Sequence, residues 1–189
     1  MRLFLAMDRA TRRGFWIGVL AMTLVVTLSN VVVQYPINDW ITYGALTYPC
    51  AFLVTDLTNR GLGPQVARRV VMVGFALAVV LSIYFATPRI ALASGTAFLV
   101  AQLLDIQIFN RLQRILPWWE APLISSSIAS AVDTALFFAL AFAGTAVPWV
   151  SLGVGDYLAK LAMALALLIP FRALMPVIRM RAAGPVGAR

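Results

Sequence analysis

The sequence predicts an all-helical membrane protein with six transmembrane helices, and three observations lead to that prediction. The chain is 62% apolar and 12% charged, with a mean hydropathy of +0.90, whereas soluble domains carry roughly 25% charged residues. Six segments approach the length of about 20 apolar residues that a helix needs to cross a bilayer. The cations are grouped at the ends of these segments, which is typical of charge-directed membrane orientation.

The apolar segments are separated by short polar turns. We predict membrane spans at residues 14–33, 41–59, 70–86, 90–110, 122–144 and 156–178. They form a single transmembrane domain over residues 14–178, between an N-terminal tail of residues 1–13 and a C-terminal tail of residues 179–189. Pro49 is expected to kink or break the second span, because proline lacks the amide proton and its ring crowds the preceding turn.

The distribution of arginine and lysine predicts the orientation of the chain. Thirteen of the fifteen cations fall in the N-terminal tail, the second-to-third turn, the fourth-to-fifth turn and the C-terminal part of the chain from Arg172 onward, which share one side if the chain crosses six times. The positive-inside rule makes that side cytoplasmic. We therefore expect a bacterial inner membrane protein with both termini in the cytoplasm. Nucleic acid is not an expected partner despite the net charge of +8, because the cations do not cluster on one face.

The residue types argue against most enzyme and metal chemistry. The chain has one cysteine, Cys50, and no histidine, so disulfides and Cys/His metal sites are not expected. No glycine-rich phosphate loop is present, and a serine nucleophile would lack a histidine base. An intramembrane aspartyl protease is disfavoured because none of Asp56, Asp105 and Asp133 has the flanking glycine of such enzymes. We predict a protein that is not an enzyme and that uses no cofactor.

Ionisable and amide side chains lie inside the predicted spans, where each charge costs roughly 2.5–3.5 kcal/mol on insertion scales. Three polar stripes each share a helical face by their spacing: Gln102, Asp105 and Phe109; Ser126, Ser130, Asp133 and Phe137; Asp56 and Asn59. We expect these stripes to face one another around a compact polar cavity. The alternative is that they only hold helices together through hydrogen bonds.

Carboxylates and amides in such a cavity are suited to a heterocyclic ligand. A guanine-like ring edge presents adjacent N–H donors to a single carboxylate, and Asn or Gln complements the remaining donors and acceptors. A carboxyl group in a partly dry cavity also favours its protonated form. Proton coupling would therefore be available without histidine.

Five stretches carry a recognisable pattern: Val54–Arg60 (VTDLTNR), Ala101–Arg111 (AQLLDIQIFNR), Trp118–Trp119, Ser130–Phe138 (SAVDTALFF), and Asp156–Tyr157 followed by Lys160. In these stretches the chain resembles the queuosine precursor transporter family, also called the vitamin uptake transporter group, over roughly residues 30–170. The resemblance implies a six-helix fold like the substrate-binding subunits of energy-coupling-factor transporters. It also implies import of 7-cyano-7-deazaguanine and 7-aminomethyl-7-deazaguanine. The substrate-binding residues carried over by motif are Asp56, Asn59, Gln102, Asp105, Asp133, Lys160 and Asn30.

The leading hypothesis is a stand-alone secondary transporter that moves a deazaguanine inward, with proton coupling as an option. Asp105 and Asp133 would hold the base edge, and Gln102 and Asn59 would orient it. The pair of residues 56 and 160 would carry the charge change that links binding to opening.

Two other functions stay open at this point. The chain could be the substrate-binding subunit of an energy-coupling-factor transporter, which needs an ATPase partner. Such subunits commonly dock through small residues on an early helix, whereas the first span here carries bulky residues such as Leu20 and Val25. The chain could also be a structural helix bundle that binds no ligand. The expected partners are the deazaguanine and the lipid bilayer, and a homodimer is left open.

Overall fold

The computed structural model describes residues 8–32, 35, 37–38, 40–41, 43–82 and 88–182. In this part of the chain the regular elements are all helices, and the predicted all-helical class is confirmed. The helices are α1 Arg9–Val32, α2 Tyr43–Thr47, α3 Cys50–Leu62, α4 Pro64–Ser82, α5 Pro88–Leu112, α6 Glu120–Phe142, α7 Trp149–Ala166 and α8 Leu168–Ala182.

A helix or a pair of helices lies at each of the six predicted spans. Within the described residues, α1, α5 and α6 are long and apolar enough to cross a membrane, and the bent pair α7–α8 is a fourth candidate if it forms one span. The helix limits differ from the predicted spans, since α1 begins at Arg9, α7 begins at Trp149 and α8 continues to Ala182. The ends of the first and third predicted spans, and much of both tails, lie outside the described residues.

Two of the predicted spans are interrupted by proline. The break between α2 and α3 falls at Tyr48 and Pro49, as the sequence predicts. The break between α7 and α8 falls at Leu167, where the two axes meet at 40°. Pro170 accounts for this second bend, because its nitrogen carries no proton for the carbonyl of Ala166 and its ring crowds that carbonyl.

The first helix packs closely on α4 through its buried face. Phe15, Val19 and Met22 of α1 join Val70 and Val71 of α4 in the largest apolar cluster. Small residues permit this approach, as is common where membrane helices meet: a Cβ atom on Gly18 would lie 3.1 Å from the Val70 side chain. Tight packing of α1, α3, α4 and α5 therefore forms one side of the molecule.

The opposite face of α1 is apolar and exposed. Leu20, Leu24 and Leu28 follow one another at intervals of four residues and are 61%, 61% and 55% exposed. A row of exposed leucines one helical turn apart would be unfavourable in water and is suited to lipid. This surface agrees with a helix that contacts acyl chains rather than solvent.

Two glycines of α7 give a matched test of this packing. A Cβ atom on Gly155 would lie 2.9 Å from the carbonyl oxygen of Trp40, whereas one on Gly153 would meet the ring of Phe138 at an ordinary 3.6 Å. We expect Gly155→Ala to destabilise the protein by about 1–3 kcal/mol, because a backbone atom must move. Gly153→Ala should be neutral or stabilising by about 0.5–1 kcal/mol, because alanine favours the helix.

Thermal unfolding of both variants in the same detergent would measure the difference. Equal midpoints for Gly155→Ala and Gly153→Ala would contradict the close approach of α7 to residue 40.

Candidate functional site

Two buried carboxyl groups meet where α3, α5 and α6 come together. Asp56 of α3 is 2% exposed and Asp105 of α5 is 0% exposed, and their carboxyl groups lie within hydrogen-bonding reach of each other. Ser126 of α6 donates its hydroxyl to Asp56 Oδ2 at 3.3 Å. In the described part of the chain, Asp56 Oδ1 and both oxygens of Asp105 receive no hydrogen bond of normal geometry from a serine, amide or amine donor.

Two amide side chains flank this carboxyl pair along the contact between α3 and α5. Asn59 Nδ2 donates to the backbone carbonyl of Ile106 at 3.0 Å, and the hydroxyl of Thr55 donates to Gln102 Oε1. The other halves of both amides, Asn59 Oδ1 and Gln102 Nε2, are buried with no partner among the described residues. The contact therefore offers one free acceptor and one free donor close to the carboxyl pair.

A second polar group surrounds Lys160 of α7. Its Nζ lies 2.8 Å from Asp133 Oδ2 and 2.6 Å from Asp156 Oδ2, and it donates to Thr134 Oγ1 at 3.0 Å. The Thr134 hydroxyl in turn donates to Asp156 Oδ2 at 2.8 Å. Tyr48 covers the group, with its ring centroid 5.4 Å from Nζ and its hydroxyl beside Asp133. We call these five residues the lysine cluster.

The two groups differ in how their charge is balanced. In the lysine cluster two aspartates face one lysine: Nζ donates to Asp133 and Thr134 and forms an ion pair with Asp156. The pair of residues 56 and 105 has no cation in contact with it among the described residues. Two ionised carboxylates about 4 Å apart would repel by about 4 kcal/mol at an effective dielectric constant of about 20.

A cleft connects the two groups. Its cavity volume is about 20 Å³, which is enough for about one water molecule, and both Asp56 and Lys160 line it. Its walls are formed by Pro49, Phe52, Leu53, Asp56, Pro122, Ser126, Ser130, Lys160, Ala164, Leu167, Leu168 and Phe171. Asp105 does not line this cleft. It is fully buried beside Asp56, which does line it. The bend between α7 and α8 forms one wall, so a change at that bend would alter the size of the cleft.

The structure brings the predicted residues together in two sets rather than one. Asp56, Asn59, Gln102 and Asp105 share the contact between α3 and α5, and the remaining pair of Asp133 and Lys160 belongs to the lysine cluster. The aspartate beside Asp105 is therefore Asp56 and not Asp133. All six side chains are buried in the interior and none faces the outer surface.

Asn30 stands apart from both sets. It lies near the end of α1, is half-buried, and does not line the cleft. Its part in the site stays a prediction.

Three members of the lysine cluster were not among the predicted site residues. Asp156 precedes Lys160 by four residues on one helix, a spacing that puts the two side chains on one face, so the sequence did carry a signal for it. Thr134 is adjacent to a predicted aspartate, which is a weak signal. No signal in the sequence pointed to Tyr48. It lies at the break between α2 and α3, and the contact of this break with α7 exists only in the folded chain.

Comparisons with known proteins show that the region carrying these groups is similar to a family of transporters. The family described as "Putative vitamin uptake transporter" matches residues 42–87 and 82–175. This range includes both carboxyl groups of the pair and the whole lysine cluster.

Curated relatives cover most of the chain. A "Probable queuosine precursor transporter" of Haemophilus influenzae is 34% identical over 86% of this chain and 86% of its own length. The "Queuosine precursor transporter" of Escherichia coli is 32% identical over 82% and 83% of the two chains. A "Probable queuosine precursor transporter" of Bacillus subtilis is 29% identical over 66% and 67%.

No solved structure matches the chain. The named relatives are transporters and not enzymes, and the apolar helices make this a multi-pass membrane protein. The chain belongs to the queuosine precursor transporter family, within the vitamin uptake transporter group.

Proposed function

We propose that this protein imports the queuosine precursors 7-cyano-7-deazaguanine and 7-aminomethyl-7-deazaguanine across the bacterial inner membrane as a stand-alone secondary transporter. The observation that carries the proposal is a buried carboxyl pair beside a cleft, with acceptor atoms that have no conventional donor in the described residues. Polar groups left unpaired at membrane depth are costly. A ligand that supplies the missing donors would offset that cost.

The contact between α3 and α5 has the groups that a deazaguanine ring edge requires. The free oxygens of Asp56 and Asp105 can accept the adjacent N–H donors of the pyrimidinone ring, and Gln102 Nε2 can donate to its carbonyl oxygen. Asn59 Oδ1 is a further acceptor for the exocyclic amine. Lys160 lines the same cleft as Asp56 and is paired with Asp133, so in this proposal the two residues meet another part of the ligand.

Opening of the cleft is required before a ligand reaches the whole site. Asp105 is completely buried, so the ligand contacts Asp56 first and reaches its neighbour as the helices separate. The bend at Leu167 is the natural hinge, because its backbone already departs from the helical path and its side chain lines the cleft. In this proposal α7 and α8 move relative to α3.

The proposed topology has six membrane spans with both termini in the cytoplasm. In it, α2 and α3 together form the second span, α4 forms the third, and α7 with α8 forms the sixth. The grouping of thirteen of fifteen cations on one side supports this arrangement. It is also the arrangement of the energy-coupling-factor substrate-binding fold that the sequence resembles.

Reconstitution tests the proposal directly. We expect labelled 7-cyano-7-deazaguanine to enter liposomes that contain this chain alone, and we expect cells without their own uptake route to gain it. Binding without uptake, restored only by an added ATPase and coupling subunit, would favour the substrate-binding subunit. The absence of any thermal shift with either deazaguanine would instead indicate a structural helix bundle.

The role of Asp105 has its own test. We expect Asp105→Asn to reduce uptake at least tenfold, because an amide places N–H donors against the N–H donors of the ligand. Gln107→Ala is the matched control, since Gln107 is exposed on the same helix. Uptake by Asp105→Asn at the wild-type rate would contradict the proposed contact.

A further inference from the structure

We infer that Thr55 is a positioning residue of the ligand site. Its hydrogen bond fixes the Gln102 amide with the nitrogen toward the ligand, and the site therefore selects a ring that carries a carbonyl over one that carries an amine at the same position. The inference deepens the proposed function and rests on it for the identity of the ligand. The orientation of the amide depends only on the contact between α3 and α5.

Two hydrogen bonds, one helical turn apart, join α3 to α5. In the first, the Thr55 hydroxyl donates to Gln102 Oε1. In the second, Asn59 Nδ2 donates to the backbone carbonyl of Ile106 at 3.0 Å. The two partners are 47 positions apart in both bonds, so the helices keep one register over this turn. Each bond uses one end of a side-chain amide and leaves the other end for a different partner.

The Asn59 amide can make its bond in only one orientation. A backbone carbonyl oxygen is an acceptor and never a donor, so the atom that meets Ile106 must be the amide nitrogen. The end that is left is Oδ1, an acceptor, which is buried and has no partner among the described residues. The backbone of α5 therefore sets the polarity at this end of the site.

The Gln102 amide presents the opposite polarity. Its oxygen accepts from Thr55, and the end that is left is Nε2, a donor with no partner in the described part of the chain. Both side chains are completely buried. Asp105 follows Gln102 by three residues on the same face of α5, and Asp56 follows Thr55 directly. Because carboxyl oxygens are acceptors, these surroundings favour a donor rather than another acceptor on this side of the amide.

The remaining donor and acceptor match the edge of a deazaguanine ring. That edge presents a carbonyl oxygen, a ring N–H and an exocyclic amine in this order. Along α3, Asp56 lies between Thr55 and Asn59, so the Gln102 donor, the Asp56 carboxyl group and the Asn59 acceptor can meet the three groups in the same order. A ring with an amine in place of the carbonyl would turn a donor against the Gln102 donor.

Thr55 controls this selection because it holds the amide oxygen. A side-chain amide that is not held can turn about its last bond and exchange the positions of its oxygen and nitrogen. Without the hydroxyl, Gln102 would offer its oxygen to a ring amine and its nitrogen to a ring carbonyl. With the hydroxyl, two donors meet in the mismatched complex, and a buried site rejects a ligand that leaves its polar groups unpaired.

Competition binding to the purified protein tests the inference with two ligands. One is 7-cyano-7-deazaguanine, and the other is its diamino analogue, in which an amine replaces the ring carbonyl oxygen. We expect wild type to prefer the first by about a hundredfold or more, and we expect Thr55→Val to reduce this preference about tenfold. Thr55→Ser keeps the hydroxyl and should retain the wild-type preference. The carboxyl groups are the same in all three proteins, so their contribution cancels in the comparison.

The matched control is Thr58→Val on the same helix. The Thr58 hydroxyl donates to the carbonyl of Val54 within α3, so this variant should keep the wild-type preference. The preference is a ratio of two affinities for one protein, and a partial loss of folded protein cancels from it. Gln102→Met and Thr55→Val/Gln102→Met should have equal preferences, since a threonine that acts through the amide has no further effect once the amide is gone.

The outcomes separate this inference from the proposed function. A reduced preference in Thr55→Val that is restored in Thr55→Ser supports the positioning role. A wild-type preference in Thr55→Val, an equal loss in Thr55→Ser, or an equal loss in Thr58→Val would overturn that role and leave the transport function standing. A wild-type protein that binds neither compound would refute the proposed function itself.

Discussion

Asp56→Asn is expected to lower the affinity for 7-cyano-7-deazaguanine by about tenfold to a hundredfold. Asp56 is the carboxyl group that lines the cleft, and its Oδ1 has no donor among the described residues. A hydrogen bond to a charged group contributes about 1.5–3 kcal/mol, and each 1.4 kcal/mol changes a dissociation constant tenfold. The amide would also turn a donor toward the donors of the ligand. Calorimetric titration of the purified variant measures the change.

The control for this prediction is a neighbouring polar side chain that does not face the cleft. Thr58 follows Asp56 by two residues on α3, and its hydroxyl donates a hydrogen bond to the backbone carbonyl of Val54 at 2.7 Å. Thr58→Val should therefore bind the ligand with close to wild-type affinity. Equal affinity of Asp56→Asn and Thr58→Val would show that the ligand does not bind at this carboxyl group.

Lys160→Met is expected to destabilise the protein by about 3–5 kcal/mol. The substitution keeps most of the apolar volume but leaves the buried Asp133 and the partly buried Asp156 without their cation, and uncompensated buried charges cost about that much. For a chain of this size each kcal/mol corresponds to about 2–4 °C, so the midpoint of thermal unfolding should fall by on the order of 10 °C. Unfolding in detergent, followed by circular dichroism, measures it.

Restoring neutrality tests the cause of this loss. In Lys160→Met/Asp133→Asn/Asp156→Asn both carboxylates are removed along with their partner, and we expect most of the stability to return. Arg172→Gln is the control for loss of a cation elsewhere, because Arg172 is exposed and its guanidinium lies over the face of the Trp118 ring, 4.8 Å from its centroid, in a cation–π contact. Such a contact contributes about 0.5–1 kcal/mol. A triple variant as unstable as Lys160→Met would point to packing rather than charge.

The sequence by itself determined the helical class, the interruption at Pro49 and the faces on which the polar residues lie. These features follow from local chemistry: apolar segments of membrane-crossing length, a residue without an amide proton, and a period of 3.6 residues per turn. The same local rules place Asp156 and Lys160 on one face of α7. They also explain, after the fact, the bend before Pro170.

Only the tertiary structure decided which polar residues meet. Periodicity shows the direction of Asp105 around its helix axis, but it says nothing of which helix lies opposite or at what height. In the folded chain Asp56 lies beside Asp105, whereas Asp133 is paired with Lys160. Tyr48 reaches the lysine cluster through a contact between elements more than a hundred residues apart. Pairing across helices depends on the relative shift and rotation of packed surfaces, which is set by the many side chains between them.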